Sequence, residues 1–480
     1  MKSSSDTFLR GSEWKPKKYL GGKRMKTRRI IAAFLSVSII LALVLSGCGN
    51  TPAASTEQPA ASTAAATEAT PAATEATPAA SEKVELIYYS WNDEDVYMPA
   101  LVEEFQKTQS DITVKYQSFP SANEEYYQKM LVMLASQMPV DVFGVNATSF
   151  YYTFLSRNTL APLDGYIKDA GIDMKKNYGT LSSQTEVGDG KYFAMPHRRT
   201  GWPLYYNKDI FDEMKEPYPT AQMTWNEYLE LSKKMTKVRA DGTTQWGSMF
   251  AFPMGNSGLL YASQFGERLD MPTVPHYKEA LEFYKAMYDS KSTMSFNEVL
   301  SLATGANQRA VFQNGDAAMY PAGDWNISAF IKDEAAGKMS INWDITYLPI
   351  PAGAQAGATI GCATNTGIAT YSKNKDAAFK FLSYMCGEEG ASVLASKGIL
   401  PAFNSPKIKE LYTKVAPNKS LGKVFEFNVM DELPKGTMSN DLVKMNRATN
   451  ELYLLGEKTI DETLTQWEAD RQALIAQNKQ

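Results

Sequence analysis

Val84-Glu85-Leu86-Ile87-Tyr88-Tyr89, Ile112-Thr113-Val114-Lys115-Tyr116 and Val140-Asp141-Val142-Phe143-Gly144-Val145 decide the fold. Each is a short β-branched and aromatic run, the signature of a strand. Between them, Val96 to Gln109 and Glu124 to Ser136 carry apolar residues at helical spacing, with Val102 and Phe105 in the first and Tyr127, Met130, Leu131 and Leu134 in the second. Strands alternating with helices predict crossover units and a mostly parallel sheet. Ligands of such sheets bind beyond the carboxyl ends of the strands. That topology puts Ser90-Trp91-Asn92-Asp93 and Asn146-Ala147-Thr148 at the mouth of a crevice.

Upstream of Val84 the composition changes abruptly. Residues 49–83 are nearly all Ala, Thr, Pro, Ser and Glu, and Ala-Thr-Glu-Ala-Thr-Pro-Ala occurs twice, at 66–72 and 73–79. Without large apolar side chains nothing offsets the entropy of ordering, so the segment reads as a disordered stalk extended by its prolines. Before it, Lys26, Arg28 and Arg29 precede the apolar run Ile30 to Leu45, which ends in Leu45-Ser46-Gly47-Cys48. A basic stretch, a short apolar run and small residues at a cut form a secretory signal. The last four residues resemble a lipobox, which implies cleavage, lipidation at Cys48 and an anchor outside the cytoplasmic membrane. Residues 1–48 are therefore read as a lipoprotein signal peptide, with Met25 a second plausible start.

Ten of the 49 Lys and Arg and two of the 53 Asp and Glu fall in residues 1–48. The remainder holds 39 basic and 51 acidic side chains, a net of about −12. So acidic a body argues against nucleic-acid binding, which wants a basic patch. About 400 residues exceed one ordinary core and suggest two lobes. Cys362 and Cys386 read as two buried thiols rather than a disulfide. His197 and His276 lack metal-ligand spacing, and neither a Gly-x-Ser-x-Gly elbow nor a phosphate-binding loop occurs. No metal and no cofactor is expected. An anchored glycosidase would need two carboxylates at a set separation, and no motif isolates such a pair. A structural adhesin would suit the stalk but not a cleft.

From Val84 onward the chain resembles the extracellular solute-binding proteins of ABC importers, in the branch related to maltose-binding protein. The resemblance rests on six motifs in register. They are Tyr89-Ser90-Trp91-Asn92; Val140-Asp141-Val142-Phe143, with valine where proline is usual; Ala194-Met195-Pro196 with Leu204-Tyr205-Tyr206-Asn207-Lys208-Asp209; Gly315-Asp316-Ala317-Ala318-Met319 with Gly323-Asp324-Trp325-Asn326, where Asp324 replaces a proline; Ser372 to Leu382; and Gly398-Ile399-Leu400-Pro401-Ala402. It implies an α/β fold of two lobes joined by three crossings, with a solute cleft between them that closes by hinge bending. The crossings are expected near His197–Gly201, Asn342–Thr346 and Pro401–Asn404. The N-lobe would span 84–197 plus 344–402, and the C-lobe 198–343 plus 403–480.

By resemblance, Trp325 is the first choice for a platform that stacks on a sugar ring, the alternative being a core tryptophan. Asp324 and Asn326 could bond hydroxyls, or Asn326 could cap a helix. Trp91 and Asn92, Asn146, Arg198, Thr200, Asn256 and Asn365 complete the candidate ligand-binding set, and Asp93, Glu94 and Asp95 are alternatively first-turn acids of the next helix. Arg198 and Arg199 suggest an acceptor-rich, even anionic, sugar, or else pair with hinge acids. The expected function is a monomeric receptor, lipid-anchored on the extracytoplasmic face. It would capture an oligosaccharide, hand it to ABC permease subunits and catalyse nothing.

Overall fold

The computed structural model describes residues 83–120, 124–145, 148–188, 190–251, 258–302 and 305–477. The signal, Cys48, the stalk, Asn146 and Asn256 lie outside the described residues. The strands build two five-stranded sheets and two ribbons among the described residues. The first sheet has the order β2 (Ile112–Phe119), β1 (Val84–Trp91), β3 (Val142–Val145), β13 (Ala363–Ile368), β6 (Ala194–Arg199). β1 runs parallel to β2 and β3, and β13 runs antiparallel to β3 and β6. The helices Met98–Thr108 and Glu125–Ala135 make the two crossovers read from the sequence. Every residue of β3 is buried, as its apolar run demands of a strand covered on both faces. Asp141, just before it, fastens the sheet. Its carboxylate accepts from the Ile87 N–H at 2.9 Å, from Ser372 Oγ at 2.5 Å and from Asn374 Nδ2 at 3.2 Å.

The second sheet has the order β11 (Trp343–Thr346), β7 (Leu204–Asn207), β10 (Ala317–Pro321), β9 (Thr244–Ser248), β8 (Lys237–Val238). β12 (Ala358–Gly361) and β14 (Asn428–Asp431) form a parallel ribbon, and β4 (Glu186–Val187) pairs with β5 (Lys191–Tyr192). The long helices Tyr277–Asp289, Ser439–Leu454 and Ile460–Gln477 pack beside the second sheet in one continuous core.

Two expectations change. The strand β1 runs past Tyr89 through Ser90 and Trp91, so the chain turns only at Asn92, in a 3-10 turn over Asn92–Val96. The second crossing does not lie at 342–346. β11 is an edge strand of the second sheet, paired from Trp343 with Asn207 to Thr346 with Leu204. Trp343 and Ile345 alternate into the core and hold it there. The chain leaves that sheet after Thr346 and rejoins the first at Ala363.

Candidate functional site

β10 delivers the chain to Ala322-Gly323-Asp324, and the helix Trp325–Ala335 starts at once. Trp325 thus stands at the carboxyl end of a central strand, where the topology places ligands. Its indole is 39% exposed, which is unusual for tryptophan in a body whose other large aromatics are mostly buried. It meets Trp202 edge to face, with ring centroids 5.4 Å apart at 88°. Trp202, Trp325, Tyr320, Gln308, Leu300 and Ala251 are among the residues lining a cleft of about 340 Å³, within the range of small-molecule sites. Gly323 seats the indole, since a Cβ there would lie 2.1 Å from the ring. Gly323→Ala is therefore expected to displace Trp325, changing near-ultraviolet circular dichroism and tryptophan emission while the far-ultraviolet spectrum stays unchanged. Identical near-ultraviolet spectra would refute the seat.

Asp324 ties this platform to the first crossing. It is buried, its Oδ1 accepts the Gly201 N–H at 3.1 Å, and its own N–H donates to Gly201 O at 2.9 Å. Burial pushes its carboxyl up to about 6, against the opposing pull of Arg198 and of the Gly201 N–H. Asn326 is buried at the cleft wall, and its amide donates to Gly323 O at 3.1 Å, which closes the turn.

The crossing itself is densely bonded. The Thr200 N–H donates to Cys362 O at 2.9 Å, and Thr200 Oγ1 accepts the Cys362 N–H at 3.0 Å. Trp202 is held by Thr359 Oγ1, which accepts its N–H at 3.3 Å and donates to its carbonyl at 2.7 Å. His197 sits below, fully enclosed. Its Nε2 is 3.0 Å from Glu94 Oε1 and 3.2 Å from Tyr97 Oη, and its Nδ1 is 3.1 Å from Thr366 Oγ1. Glu94 Oε2 accepts from Ser90 Oγ at 2.6 Å and from Tyr88 Oη at 3.0 Å. Burial pushes the Glu94 carboxyl up, but His197 and the donors around it outweigh that and hold it below its ordinary value. Arg198 is buried near Tyr97, Asp324, Glu94 and Asp93, and its Nε has no partner. Arg199 instead lies over the Phe425 ring at 5.3 Å and donates to Val424 O at 3.3 Å. Acids thus lie near Arg198, whereas Arg199 answers an aromatic ring and a backbone carbonyl rather than an acid.

Arg198, Thr200, Asp324 and Trp325 gather around Gly201 and Trp202. Trp91 does not join them. It is 3% exposed, lies over Gly144 and packs edge to face on Tyr126 in the first lobe's core. Asn92 is exposed at the start of the 3-10 turn. Asn365 is fully buried opposite Val145 at the carboxyl end of β3, and its Oδ1 has no partner. Sequence reasoning missed Trp202, whose place beside the expected crossing was a usable signal, and Glu94, whose burial no local pattern marks. Cys362 and Cys386 are buried free thiols.

Residues 90–392 match the sequence model of the bacterial extracellular solute-binding proteins. An ABC transporter extracellular-binding protein of Pyrococcus horikoshii is 24% identical over 348 residues, which cover 68% of this chain and 70% of that one. The arabinooligosaccharide-binding protein of Halalkalibacterium halodurans is 25% identical over 206 residues, covering 41% and 44% respectively. Among solved structures, the open conformation of a sugar transporter from Rhizobium etli aligns with a TM-score of 0.70 at 25% identity, covering 81% of this chain and 99% of that one.

Proposed function

Because this chain belongs to the bacterial extracellular solute-binding protein family and is a solute receptor of an ABC transporter, we propose that its solute is a neutral oligosaccharide. The solute binds against Trp325, the lobes close over it by hinge bending, and the closed form delivers it to the permease. The protein hydrolyses nothing itself. The observation that carries this reading is the half-exposed indole of Trp325, propped edge to face on Trp202 at the wall of the cleft. An aromatic face suits the C–H face of a pyranose. Acids surround Arg198, and Arg199 is committed elsewhere, which favours a neutral ligand over an anionic one. The arabinooligosaccharide-binding relative supports the same class.

In this reading the mature protein is a monomer tethered through a diacylated Cys48. Two acyl chains suffice for stable anchoring, and the stalk gives the receptor reach.

The test is titration of the purified protein with oligosaccharides, followed by tryptophan fluorescence and calorimetry, with products assayed in parallel. Trp325→Ala is expected to weaken binding by about 1–3 kcal/mol, the scale of aromatic stacking losses. Product formation would refute the receptor reading. Unchanged affinity in a folded variant would refute the platform.

A further inference from the structure

The two lobes are bonded to each other at a place that the Trp325 cleft does not account for. The helix Glu125–Ala135 connects β2 with β3 of the first sheet, and Glu124 stands just before it. The backbone of Glu124 is left-handed, with φ 61° and ψ 19°. Residues with side chains are uncommon in that region, and those found there cluster at clamps and switches. A carboxylate at a helix N-terminus can accept from the first free N–H groups. Glu124 makes no such cap. Its Oε2 instead accepts from Lys444 Nζ at 3.3 Å. Lys444 lies on the helix Ser439–Leu454, whose Leu442 and Val443 are packed in the core of the second sheet. The adjoining acid, Glu125, stays on its own helix, paired with Lys129 one turn along at 2.6 Å.

The position of this bond gives it leverage. In the first sheet β6 leads into the first crossing, and β2 is the opposite edge. Four strand spacings of about 4.8 Å put that edge roughly 19 Å from the crossing. Glu124 follows β2 beyond its carboxyl end, which is the crevice side of such a sheet. A bond so far from the hinge is stretched most by a given rotation. A second lysine makes the same kind of crossing. Lys435, between β14 and the helix Ser439–Leu454, donates to Ser183 O at 3.4 Å. Ser183 lies in the helix Ser182–Thr185, whose Gln184 accepts the Ala363 N–H of the first sheet at 2.7 Å. The side chains of Lys444 and Glu124 are 60% and 36% exposed, so dissolved ions reach the pair.

We propose that Glu124 and Lys444 form an electrostatic latch between the lobes, which favours their closed arrangement before solute arrives and makes the affinity for an uncharged solute depend on ionic strength. This rests on the hinge closure proposed above and not on the identity of the solute. Closure is part of the binding equilibrium, so a bond made in the closed form alone raises the fraction of competent molecules and tightens the complex. A neutral ligand has no charge for salt to screen, so the salt dependence of its binding reports the protein's own charges.

The experiment places spin labels on the two helices, through Val132→Cys and Ala448→Cys, and measures their separation by double electron–electron resonance. The purified protein is compared with Lys444→Glu, Lys444→Gln and the charge swap Glu124→Lys with Lys444→Glu, each checked by thermal melt. Salt is raised from about 0.01 M to about 1 M, which shortens the screening length from about 30 Å to about 3 Å. Without solute at low salt, Lys444→Glu is expected to shift the population to longer distances, and Lys444→Gln to do so less. The charge swap is expected to restore the wild-type distribution, and high salt to give the wild type that of Lys444→Gln. Calorimetry with neutral arabino- and galacto-oligosaccharides of three residues is expected to show about two- to fivefold weaker binding by the wild type at high salt, the scale of one exposed ion pair. Lys444→Gln is expected to lose most of that dependence. Wild-type distances in Lys444→Glu at low salt, or a charge swap that restores nothing, would overturn the latch and leave hinge closure standing. An unchanged distance in the wild type when saturating sugar is added at high salt would overturn hinge closure itself. The solute-free distances need no ligand, so they test the latch even where neither sugar binds.

Discussion

Glu94→Ala is expected to lower the unfolding free energy by about 3–5 kcal/mol, the range found when one member of a buried ionic pair is removed. The carboxylate has no solvent exposure and is the common acceptor for Ser90 Oγ, Tyr88 Oη and the His197 ring. Deleting it leaves the Ser90 and Tyr88 hydroxyls enclosed without their acceptor and the His197 ring without its carboxylate. Urea unfolding at neutral pH measures the loss, and a change below 1 kcal/mol would show that the network does not depend on Glu94. The pH dependence has a definite sign. A carboxyl whose folded pKa lies below its ordinary value of 4.5 contributes stability at pH above 4.5. That contribution disappears as pH falls through the folded value. The wild type is therefore expected to lose part of its margin over the alanine variant in acid.

Arg471→Met is expected to cost a similar amount, about 3–6 kcal/mol. The guanidinium is fully buried in the last helix. It donates to Leu269 O at 3.1 Å, Met271 O at 2.5 Å and Pro272 O at 3.0 Å, while Glu468 Oε1 lies 2.9 Å away. It also lies over the Trp467 ring at 5.1 Å. Methionine fills much of the volume but strands three carbonyls, and each buried unsatisfied group costs about 1–3 kcal/mol. Lysine is expected to rescue little, because one ammonium cannot reproduce a planar fork with five donors. Chemical denaturation checks the stability, and solute titration of the folded protein checks that affinity is unchanged. A variant as stable as the wild type would refute the role.

Much of this was legible in the chain. The alternation of β1, β2 and β3 with two helices follows from periodicity, because one buried face per element is a local demand. Trp325 was legible only through the family resemblance of Gly323-Asp324-Trp325-Asn326. Trp91 looked equivalent in composition and is not. It continues the alternation of β1 and lands on Gly144, whereas Trp325 opens a helix and lands half in solvent. Glu94 was illegible. In Asp93-Glu94-Asp95 all three acids suit a first turn, and only His197, 103 residues away, decides which one turns inward. The shift of the second crossing has a similar origin. Trp343 and Ile345 show the two-residue alternation of a strand, but the strand they pair with lies far upstream, at Leu204 to Asn207.

The bonds around Thr200, Gly201 and Trp202 have a mechanical consequence. Cys362 and Thr359 hold this segment from the ribbon side, and Asp324 holds it from the platform side. A strip fastened on both edges behaves as a stiff lever and passes rotation straight to the indole of Trp325. Under the proposed hinge closure, swinging one lobe would turn the stacking surface with it, making cleft opening and the tilt of the platform a single stroke.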